Sequence, residues 1–251
     1  MKIFETHAHY DDQRFDEDRE QLIEHLFNNN IAYIMNVGSD IKNSIESIKL
    51  AKKYKNLYAS VGVHPHEAEA NRDLDILYEL AKEEKVKAIG EIGLDFYYDH
   101  SPRDVQKESF IRQLHIAKKL DMPVIIHSRD ADQETFDTLK DEDITDGVVH
   151  CFSGSKELAN EYIKRGLYIG IGGALTFKNA RKSVEVVQQI PIEKILIETD
   201  APYLSPVPNR GKRNDSLNLI YVIEKIAEIK NMTQEEVAEI TCENARRLYR
   251  I

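Results

Sequence analysis

Short apolar runs rich in Val and Ile alternate along the chain with longer segments in which apolar residues recur three and four positions apart. The short runs are typical of buried parallel strands, and the longer segments are typical of amphipathic helices. A helical pattern fills the interval between one short run and the next. Eight strands are predicted, over residues 3–9, 31–37, 57–63, 86–92, 124–127, 147–152, 167–171 and 195–199.

The helical segments carry end signals that agree with this alternation. Ser101 stands as a candidate N-cap ahead of Pro102, and Thr233 with Glu236 forms a capping-box pattern. Alternating strands and helices imply parallel strands with right-handed crossovers, so we predict one α/β domain, residues 1–251, folded as a (β/α)8 TIM barrel. An open doubly wound sheet is the main alternative, but it would carry a Gly-rich turn after strand one, where this chain has His-Ala-His.

Charge restricts how the protein could bind nucleic acid. The chain has 34 basic and 44 acidic residues, a formal charge of −10, which argues against a broad positive surface that coats nucleic acid. Any phosphate site therefore has to be local. The basic cluster in a loop-like setting is "NRGKRN", with Arg210, Lys212 and Arg213.

Neither the apolar runs nor the cysteine spacing indicates a membrane segment, a secretory signal or a disulfide framework. No apolar run approaches the roughly 18 residues that cross a bilayer, and a secretory signal pattern is absent, so we expect a cytoplasmic protein with no membrane partner. Cys151 and Cys242 form no Cys-x-x-Cys pair, which indicates neither a disulfide framework nor a thiolate zinc site. Cys151 is expected to pack outward beneath a helix. No obligate protein partner is expected.

Ionisable residues stand at the carboxyl ends of five predicted strands. In a barrel these ends form one rim, where barrel enzymes keep their active sites. Because side chains alternate along a strand, His7 and His9 point the same way, and Glu5 shares their parity. The group comprises His7, His9, Glu91, His127, His150 and Asp200.

Such a cluster is costly to bury unless cations compensate it. Four imidazoles and two carboxylates are too many for one tetrahedral ion and suit two divalent ions that share a carboxylate, so we expect a two-metal site rather than a structural polar cluster. Mixed nitrogen and oxygen ligands admit Mg, Mn, Zn, Co, Ni or Fe. Three further residues of the same rim, His64, His66 and Arg129, are expected to face substrate.

The motifs that hold these residues closely resemble those of the TatD-like family of metal-dependent hydrolases, within the amidohydrolase-type barrels. They occur in family order over nearly the whole chain as "THAHYDD", "GVHPHE", "GEIGLDFYYD", "VIIHSRDA", "HCFSGS", "ETDAPYLSPVPNRGKRN" and "TCENARRLY". The resemblance implies two metal sites that share Glu91. Their further ligands would be His7, His9 and Asp200 in the first and His127 and His150 in the second.

One position departs from the family pattern. Glu5 stands where the family usually has Asp before Thr-His-x-His. The longer side chain keeps the charge, so it affects a hydrogen bond behind the ligands and not the ligand set.

The resemblance also implies a reaction. Members of the family are described as metal-dependent deoxyribonucleases, some of them 3′ to 5′ exonucleases, so DNA is the expected substrate. A metal-bound water has its pKa lowered from about 15.7 toward roughly 7, which supplies hydroxide near neutral pH. The hypothesis is that this hydroxide attacks phosphorus, that Asp200 orients it and takes its proton, and that the basic loop binds phosphate.

Two other functions stay open at this point. Hydrolysis of a C–N bond in a small cyclic amide uses the same barrel, commonly with a carbamylated lysine at the end of strand four. This chain has Glu91 there and Lys87 at the opposite end, which favours phosphate ester chemistry. The second alternative is a non-enzymatic module that holds metal for docking, and a complete set of candidate ligands argues against it.

Overall fold

Eight parallel strands follow one another in chain order around a barrel in the computed structural model, which describes residues 1–251. Each strand pairs in parallel with the next, from β1 with β2 to β7 with β8. The predicted (β/α)8 barrel is therefore confirmed. The strands are β1 (Ile3–Ala8), β2 (Ile31–Val37), β3 (Leu57–Val61), β4 (Val86–Asp95), β5 (Val124–Arg129), β6 (Gly147–Val149), β7 (Tyr168–Ile171) and β8 (Ile195–Ile197).

Helices connect the strands and cover the outside of the barrel, and two of them follow β8. None of them is both long enough and apolar enough to cross a bilayer. The helices are α1 (Arg19–Phe27), α2 (Ile41–Lys53), α3 (Asp75–Leu80), α4 (Arg103–Leu120), α5 (Asp132–Asp141), α6 (Lys156–Lys164), α7 (Arg181–Gln189), α8 (Leu219–Lys230) and α9 (Gln234–Tyr249).

Of the two predicted helix N-caps, the one at Thr233 is confirmed and the one at Ser101 is not. Thr233 and Glu236 form the expected capping box at the start of α9. The prediction for Ser101 is wrong, because α4 starts after Pro102 without a side-chain cap. The Ser101 hydroxyl is buried and instead donates a hydrogen bond to the carbonyl of His66 at 2.9 Å, which ties the loop after β4 to the loop after β3.

The strands differ from the prediction mainly at their carboxyl ends. β4 continues to Asp95, three residues beyond its predicted end, whereas β6 and β8 stop early, at Val149 and Ile197. Cys151 has a φ of 44° and Asp200 a φ of 56°. These left-handed conformations cannot continue a strand, so the chain turns at the rim just after β6 and β8.

β1 carries a one-residue bulge that reverses the alternation of its side chains. Between Glu5 and Ala8, three residue steps on β1 match two on β2. The expected shared parity of Glu5 and His7 is therefore wrong. Glu5 lies against Ser216, whereas the ring of His7 stacks on His150 with centroids 4.0 Å apart.

The barrel closes between β1 and β8 by a mixture of backbone and side-chain hydrogen bonds. Near the rim, the N–H of Asp200 donates to the carbonyl of His7 at 2.9 Å, and the N–H of His9 donates to the carbonyl of Ala201 at 2.7 Å. These bonds flank an isolated bridge between Ala8 and Ala201, and no regular ladder joins the two strands. Side chains therefore have to complete this seam.

Glu5 supplies most of the missing hydrogen bonds of the seam. Its carboxylate accepts from the backbone N–H of Thr199 at 3.0 Å, from the Thr199 hydroxyl at 2.6 Å and from the hydroxyl of Ser216 at 2.9 Å. It also accepts from the N–H of His7 at 3.1 Å. Burial raises the pKa of Glu5 to about 7 in spite of these bonds. The longer side chain at this position thus binds the seam and the backbone of β1, not an imidazole ring.

The C-terminal helix α9 closes the amino end of the barrel. The Asn244 amide donates to the carbonyls of Ile192 and Ile195 at 2.8 and 2.9 Å, which attaches the helix to the start of β8. Apolar residues of α9 pack with strand residues from around the barrel, and no other helix contributes to this cluster. Its members include Phe4, Met35, Ile125, Val148, Leu196, Cys242, Ala245, Leu248 and Tyr249.

This cluster forms the floor of the barrel, and shortening one of its side chains should destabilise the whole protein. We expect Leu248→Ala to lower the free energy of unfolding by about 2–5 kcal/mol, because it leaves a cavity among buried side chains. Urea unfolding followed by circular dichroism measures the change. The exposed neighbour Arg247, changed to Ala, is the control and should change stability by less than about 0.5 kcal/mol. Equal effects of the two substitutions would contradict a packed floor.

Removal of the Glu5 carboxylate should weaken the seam. Glu5→Ala leaves the buried N–H groups of His7 and Thr199 without an acceptor, and we expect a loss of about 3 kcal/mol in the free energy of unfolding. Glu5→Gln keeps one acceptor oxygen and should lose clearly less. Urea unfolding of the three proteins at one pH tests this order, and a Glu5→Ala protein as stable as the wild type would refute it.

Candidate metal centre

The carboxyl ends of the strands bring six predicted side chains into one cluster. The buried carboxylate of Glu91 lies in its middle, with Oε1 and Oε2 facing different neighbours. The cluster consists of His7, His9, Glu91, His127, His150 and Asp200.

One oxygen of Glu91 faces the two histidines of β1. Oε2 lies 3.4 Å from His7 Nε2 and 3.7 Å from His9 Nε2. Asp200 Oδ1 lies 3.7 Å from His7 Nε2 and 3.5 Å from His9 Nε2. The two Nε2 atoms are only 3.2 Å apart. Four donor atoms thus surround one small space.

The other oxygen of Glu91 faces the histidines that follow β5 and β6. Oε1 lies 2.9 Å from His127 Nδ1 and 2.7 Å from His150 Nε2. The two nitrogens are 3.2 Å apart. This second group of donors therefore shares Glu91 with the first group.

Hydrogen bonds behind the rings determine which nitrogen faces the cluster. His9 Nδ1 lies 2.8 Å from the carbonyl oxygen of Val37, which only accepts, so Nδ1 carries the proton and the neutral ring turns its Nε2 lone pair inward. His127 lies between two carboxylates, with Nε2 3.2 Å from Asp95 Oδ2 and Nδ1 2.9 Å from Glu91 Oε1, so a ring that keeps its proton on Nε2 turns the Nδ1 lone pair toward Glu91. A lone pair aimed at a carboxylate is repelled unless a cation lies between them. The donors therefore fit divalent cations.

The pKa values of the cluster show the same need for positive charge. Burial alone would raise the pKa of Glu91, but the neighbouring imidazoles, His150 foremost, hold it well below its usual range. Burial alone would lower the pKa of His9, yet Asp200 and Glu91 raise it to about 9. A divalent ion would take over the compensation that a proton on His9 otherwise provides.

His64 directs an N–H group toward the carboxylate of Glu91. Its Nε2 lies 3.6 Å from Glu91 Oε1, in a group of possible metal donors with His127. Its Nδ1, however, accepts a hydrogen bond from the N–H of His66 at 3.2 Å, so the neutral ring carries its proton on Nε2. Burial, together with His127, lowers the pKa of His64 well below its usual value and keeps the ring neutral. His64 therefore offers an N–H group to the centre.

Asp95 is a residue of the site that sequence reasoning missed. Its Oδ2 lies 3.2 Å from His127 Nε2 and 2.8 Å from His66 Nε2, and its Oδ1 accepts from the N–H groups of Tyr97 and Tyr98 at 3.0 Å each. Burial alone would raise its pKa, but these hydrogen bonds lower it, so the carboxylate stays charged. The signal in the sequence was an acidic residue four positions after Glu91, which lies at the rim only because β4 is longer than predicted.

Glu198 is the second residue that was missed. It is buried, its carboxylate accepts a hydrogen bond from the N–H of Cys151, and its Oε1 lies 3.7 Å from His150 Nδ1. Glu198 therefore holds the turn that carries His150. Its position one residue before Thr199, inside the predicted strand eight, gave no sign of this contact.

A cavity of about 330 Å³ opens beside the cluster, on the side of β5, β6 and β7. His127, His150 and Asp200 form its inner wall, and Arg129 lies at its edge. The prediction that Cys151 packs outward is wrong, because the turn after β6 places it in the cavity wall. Apolar and hydroxyl groups complete the lining, among them Ser128, Phe152, Ser153, Ile171, Leu175 and Leu204.

The predicted basic loop lies after β8, outside the cluster. Arg213 pairs with Asp18 at 2.5 Å, so its charge is already compensated. The guanidinium of Arg210 lies over the ring of Phe177 at 4.2 Å, and Lys212 is exposed. None of the three is brought into contact with the six clustered side chains.

The family model described as TatD related DNase matches residues 4–250. The chain belongs to the TatD family of metal-dependent hydrolases. It is 46% identical to an uncharacterized metal-dependent hydrolase, YabD, of Bacillus subtilis, over 99% of both chains. It is 33% identical, again over 99% of both chains, to a protein of Shigella flexneri named 3′-5′ ssDNA/RNA exonuclease TatD.

The fold of a solved TatD homologue agrees with the barrel described above. The crystal structure of YJJV from Escherichia coli matches with a TM-score of 0.92 and 31% identity, over 99% of this chain and 98% of the other. The resemblance inferred from the motifs is therefore confirmed at the level of family and fold. Within this TatD-family barrel, the assignment of individual ligands stays a prediction.

Substitution of Asp95 should weaken metal binding without removing a ligand. Asp95→Asn no longer favours the His127 tautomer that turns Nδ1 inward, and we expect roughly a 10- to 100-fold loss of affinity for a divalent ion. Titration calorimetry with Mn²⁺ measures the affinity directly. The exposed Asp99, which pairs with Arg103, is the matched control as Asp99→Asn. Unchanged Mn²⁺ binding by Asp95→Asn would contradict this role.

Proposed function

We propose that this TatD-family chain is a two-metal phosphodiester hydrolase that degrades DNA from a 3′ end. The observation that carries the proposal is the shared carboxylate of Glu91, whose two oxygens face two separate groups of donors. Paired ions about 3.5–4 Å apart are the arrangement that many nucleases and phosphatases use. The name of the Shigella relative, a 3′-5′ exonuclease, supports degradation from the 3′ end.

The proposed metal sites use the six clustered side chains. His7, His9, Glu91 and Asp200 would hold one ion, and Glu91, His127 and His150 would hold the other. When bound, the two ions supply Lewis-acid activation of the phosphate and of a water molecule. Nitrogen and oxygen donors of this kind accept Mg, Mn, Zn, Co or Ni. Two divalent ions outweigh the charges of Glu91 and Asp200, so an anionic substrate is attracted to an otherwise acidic protein.

The protein's own groups have distinct tasks in this proposal. Hydrogen bonding and charge from His9 hold the pKa of Asp200 below its usual value against the effect of burial, so the carboxylate is ionised and can accept the proton of the attacking water. His64 donates its Nε2–H to an oxygen of the phosphate. His66 and Asp95 hold His64 and His127 in these orientations.

The cavity and the rim would bind the rest of the substrate. A volume of about 330 Å³ is at the low end for ligand sites, so it admits one unit of a polymer and leaves the remainder of the strand on the rim. Arg129, at the edge of the cavity, is placed to bind a phosphate next to the one that is cleaved. Arg210 and Lys212 would bind phosphates farther along the strand.

Cyclic-amide hydrolysis receives less support from the site. The strand-four lysine, Lys87, lies near the amino end of the barrel, where its Nζ is 5.9 Å from the ring of Tyr58. Glu91 occupies the position where a carbamylated lysine would bridge the metals. The geometry therefore supports phosphate ester chemistry.

A screen of metals against substrates tests the proposal. Single-stranded and double-stranded DNA, RNA, bis(p-nitrophenyl) phosphate and dihydrouracil are each offered with Mg²⁺, Mn²⁺, Zn²⁺, Co²⁺ or Ni²⁺. We expect hydrolysis of DNA and of the small diester, none of the cyclic amide, and loss of both activities after chelation. Undiminished DNA cleavage by thoroughly chelated protein, or turnover of the amide alone, would overturn the proposal.

Asp200→Asn separates catalysis from folding. Asn tolerates the left-handed φ of 56° at this position, so the barrel should fold as before. Loss of the proton acceptor should lower kcat for DNA and for the small diester by roughly 10²- to 10⁴-fold. Asp99→Asn, on the exposed loop after β4, should leave kcat unchanged. An Asp200→Asn protein with wild-type turnover would exclude Asp200 as the base.

A further inference from the structure

Exposed apolar side chains are concentrated at the mouth of the barrel. The large apolar side chains that are exposed number seven, and five of them lie on the loops after β4 and β8. Three of the five are tyrosines: Tyr97 is 57% exposed, Tyr98 50% and Tyr203 47%. Aromatic rings exposed to this extent lose hydrophobic stabilisation, so their position around a polar centre requires a reason beyond folding.

An arginine guanidinium group lies over the exposed tyrosines of each loop, Tyr97 and Tyr98 on the first and Tyr203 on the second. Arg129, which is exposed, lies over Tyr97 at 4.1 Å and over Tyr98 at 4.7 Å. Arg14, on the loop after β1, lies over Tyr203 of the loop after β8 at 4.1 Å and pairs with Asp12 at 2.7 Å. Both rings offer a stacking surface for a base, and Arg129, which makes no ion pair, also offers a charge for the adjacent phosphate.

The two groups lie on opposite sides of the centre. In a ring of eight strands in sequential order, β4 and β8 are separated by half the circumference. Tyr98 packs edge-on against His66, with centroids 5.5 Å apart, and Tyr203 lies edge-on to His9 at 6.4 Å. A chain that reaches from one group to the other must therefore cross the clustered side chains.

We infer that Tyr97 with Arg129, and Tyr203 with Arg14, are two nucleobase-stacking platforms that hold a single strand of nucleic acid across the centre. This inference rests on the proposed function. Bases of a single strand expose their faces, whereas those of a duplex are covered by their neighbours, so platforms of this kind select single strands without reading the sequence. Peptides and lipids fit less well, because neither repeats an aromatic face beside an anion.

The test measures, by fluorescence anisotropy, the affinity of metal-loaded wild type and variants for a short oligothymidylate. The oligonucleotide carries fluorescein and phosphorothioate linkages, which resist hydrolysis. Tyr97→Ala and Tyr203→Ala should each weaken binding about tenfold, and the double variant should lose more. Tyr97→Phe and Tyr203→Phe keep the ring and should bind within about twofold of the wild type. Tyr78→Ala is the matched control, because Tyr78 on α3 also lies under cations, Lys82 and Lys119, but far from the mouth.

A second measurement separates this inference from the proposed function. The ratio of kcat/KM for unmodified oligothymidylate to kcat/KM for bis(p-nitrophenyl) phosphate should fall in both Ala variants, because the small diester lacks the run of bases and phosphates that occupies both platforms at once. Oligonucleotide affinity that is unchanged in the Ala variants, or a duplex bound as tightly as the single strand, overturns the platforms while leaving hydrolysis intact. If the wild type hydrolyses no diester but the Ala variants still bind the oligonucleotide more weakly, the platforms stand and the proposed function fails.

Discussion

A buried carboxylate with imidazoles on both sides sets the requirements for the rest of this structure. Glu91 is buried from bulk solvent, and its two oxygens face His7 and His9 on one side and His127 and His150 on the other. Such a group is stable only if every neighbour is held in a definite orientation and positive charge is supplied. The carbonyl of Val37 and the carboxylate of Asp95 accept hydrogen bonds on the far sides of the rings of His9 and His127 and meet the first condition for these two, and the second is the chemical reason to expect cations.

The barrel separates the sources of stability from the source of function. Its amino end is filled by apolar side chains and closed by α9, with Leu248 and Tyr249 packed among strand residues. Its carboxyl end carries the polar cluster and the turns at Cys151 and Asp200, whose φ angles are positive. Strain and uncompensated charge at the rim are tolerated because the floor and the surrounding helices bury enough apolar surface to maintain the fold.

The seam between β1 and β8 connects these two parts. The bulge of β1 against β2 lies between Glu5 and Ala8, so His7 faces the cluster while Glu5 faces Thr199 and Ser216 at the seam. The same local irregularity thus positions a candidate ligand and places the carboxylate that closes the barrel. This coupling explains why a structural acid and two candidate ligands occur within five residues of sequence.

The sequence by itself determined the order of the strands, the barrel and the family, because apolar periodicity and local motifs depend on residues that are neighbours in the chain. It also placed His7, His9, Glu91, His127, His150 and Asp200 at strand ends, and the structure brings these six together, although their roles as ligands stay a prediction. Only the tertiary structure decided the partners: Asp95 behind His127, Glu198 beside Cys151, Ser101 on His66 and Asp18 on Arg213. These are hydrogen bonds and ion pairs between segments far apart in sequence, and their geometry depends on how the barrel closes, which no local pattern encodes.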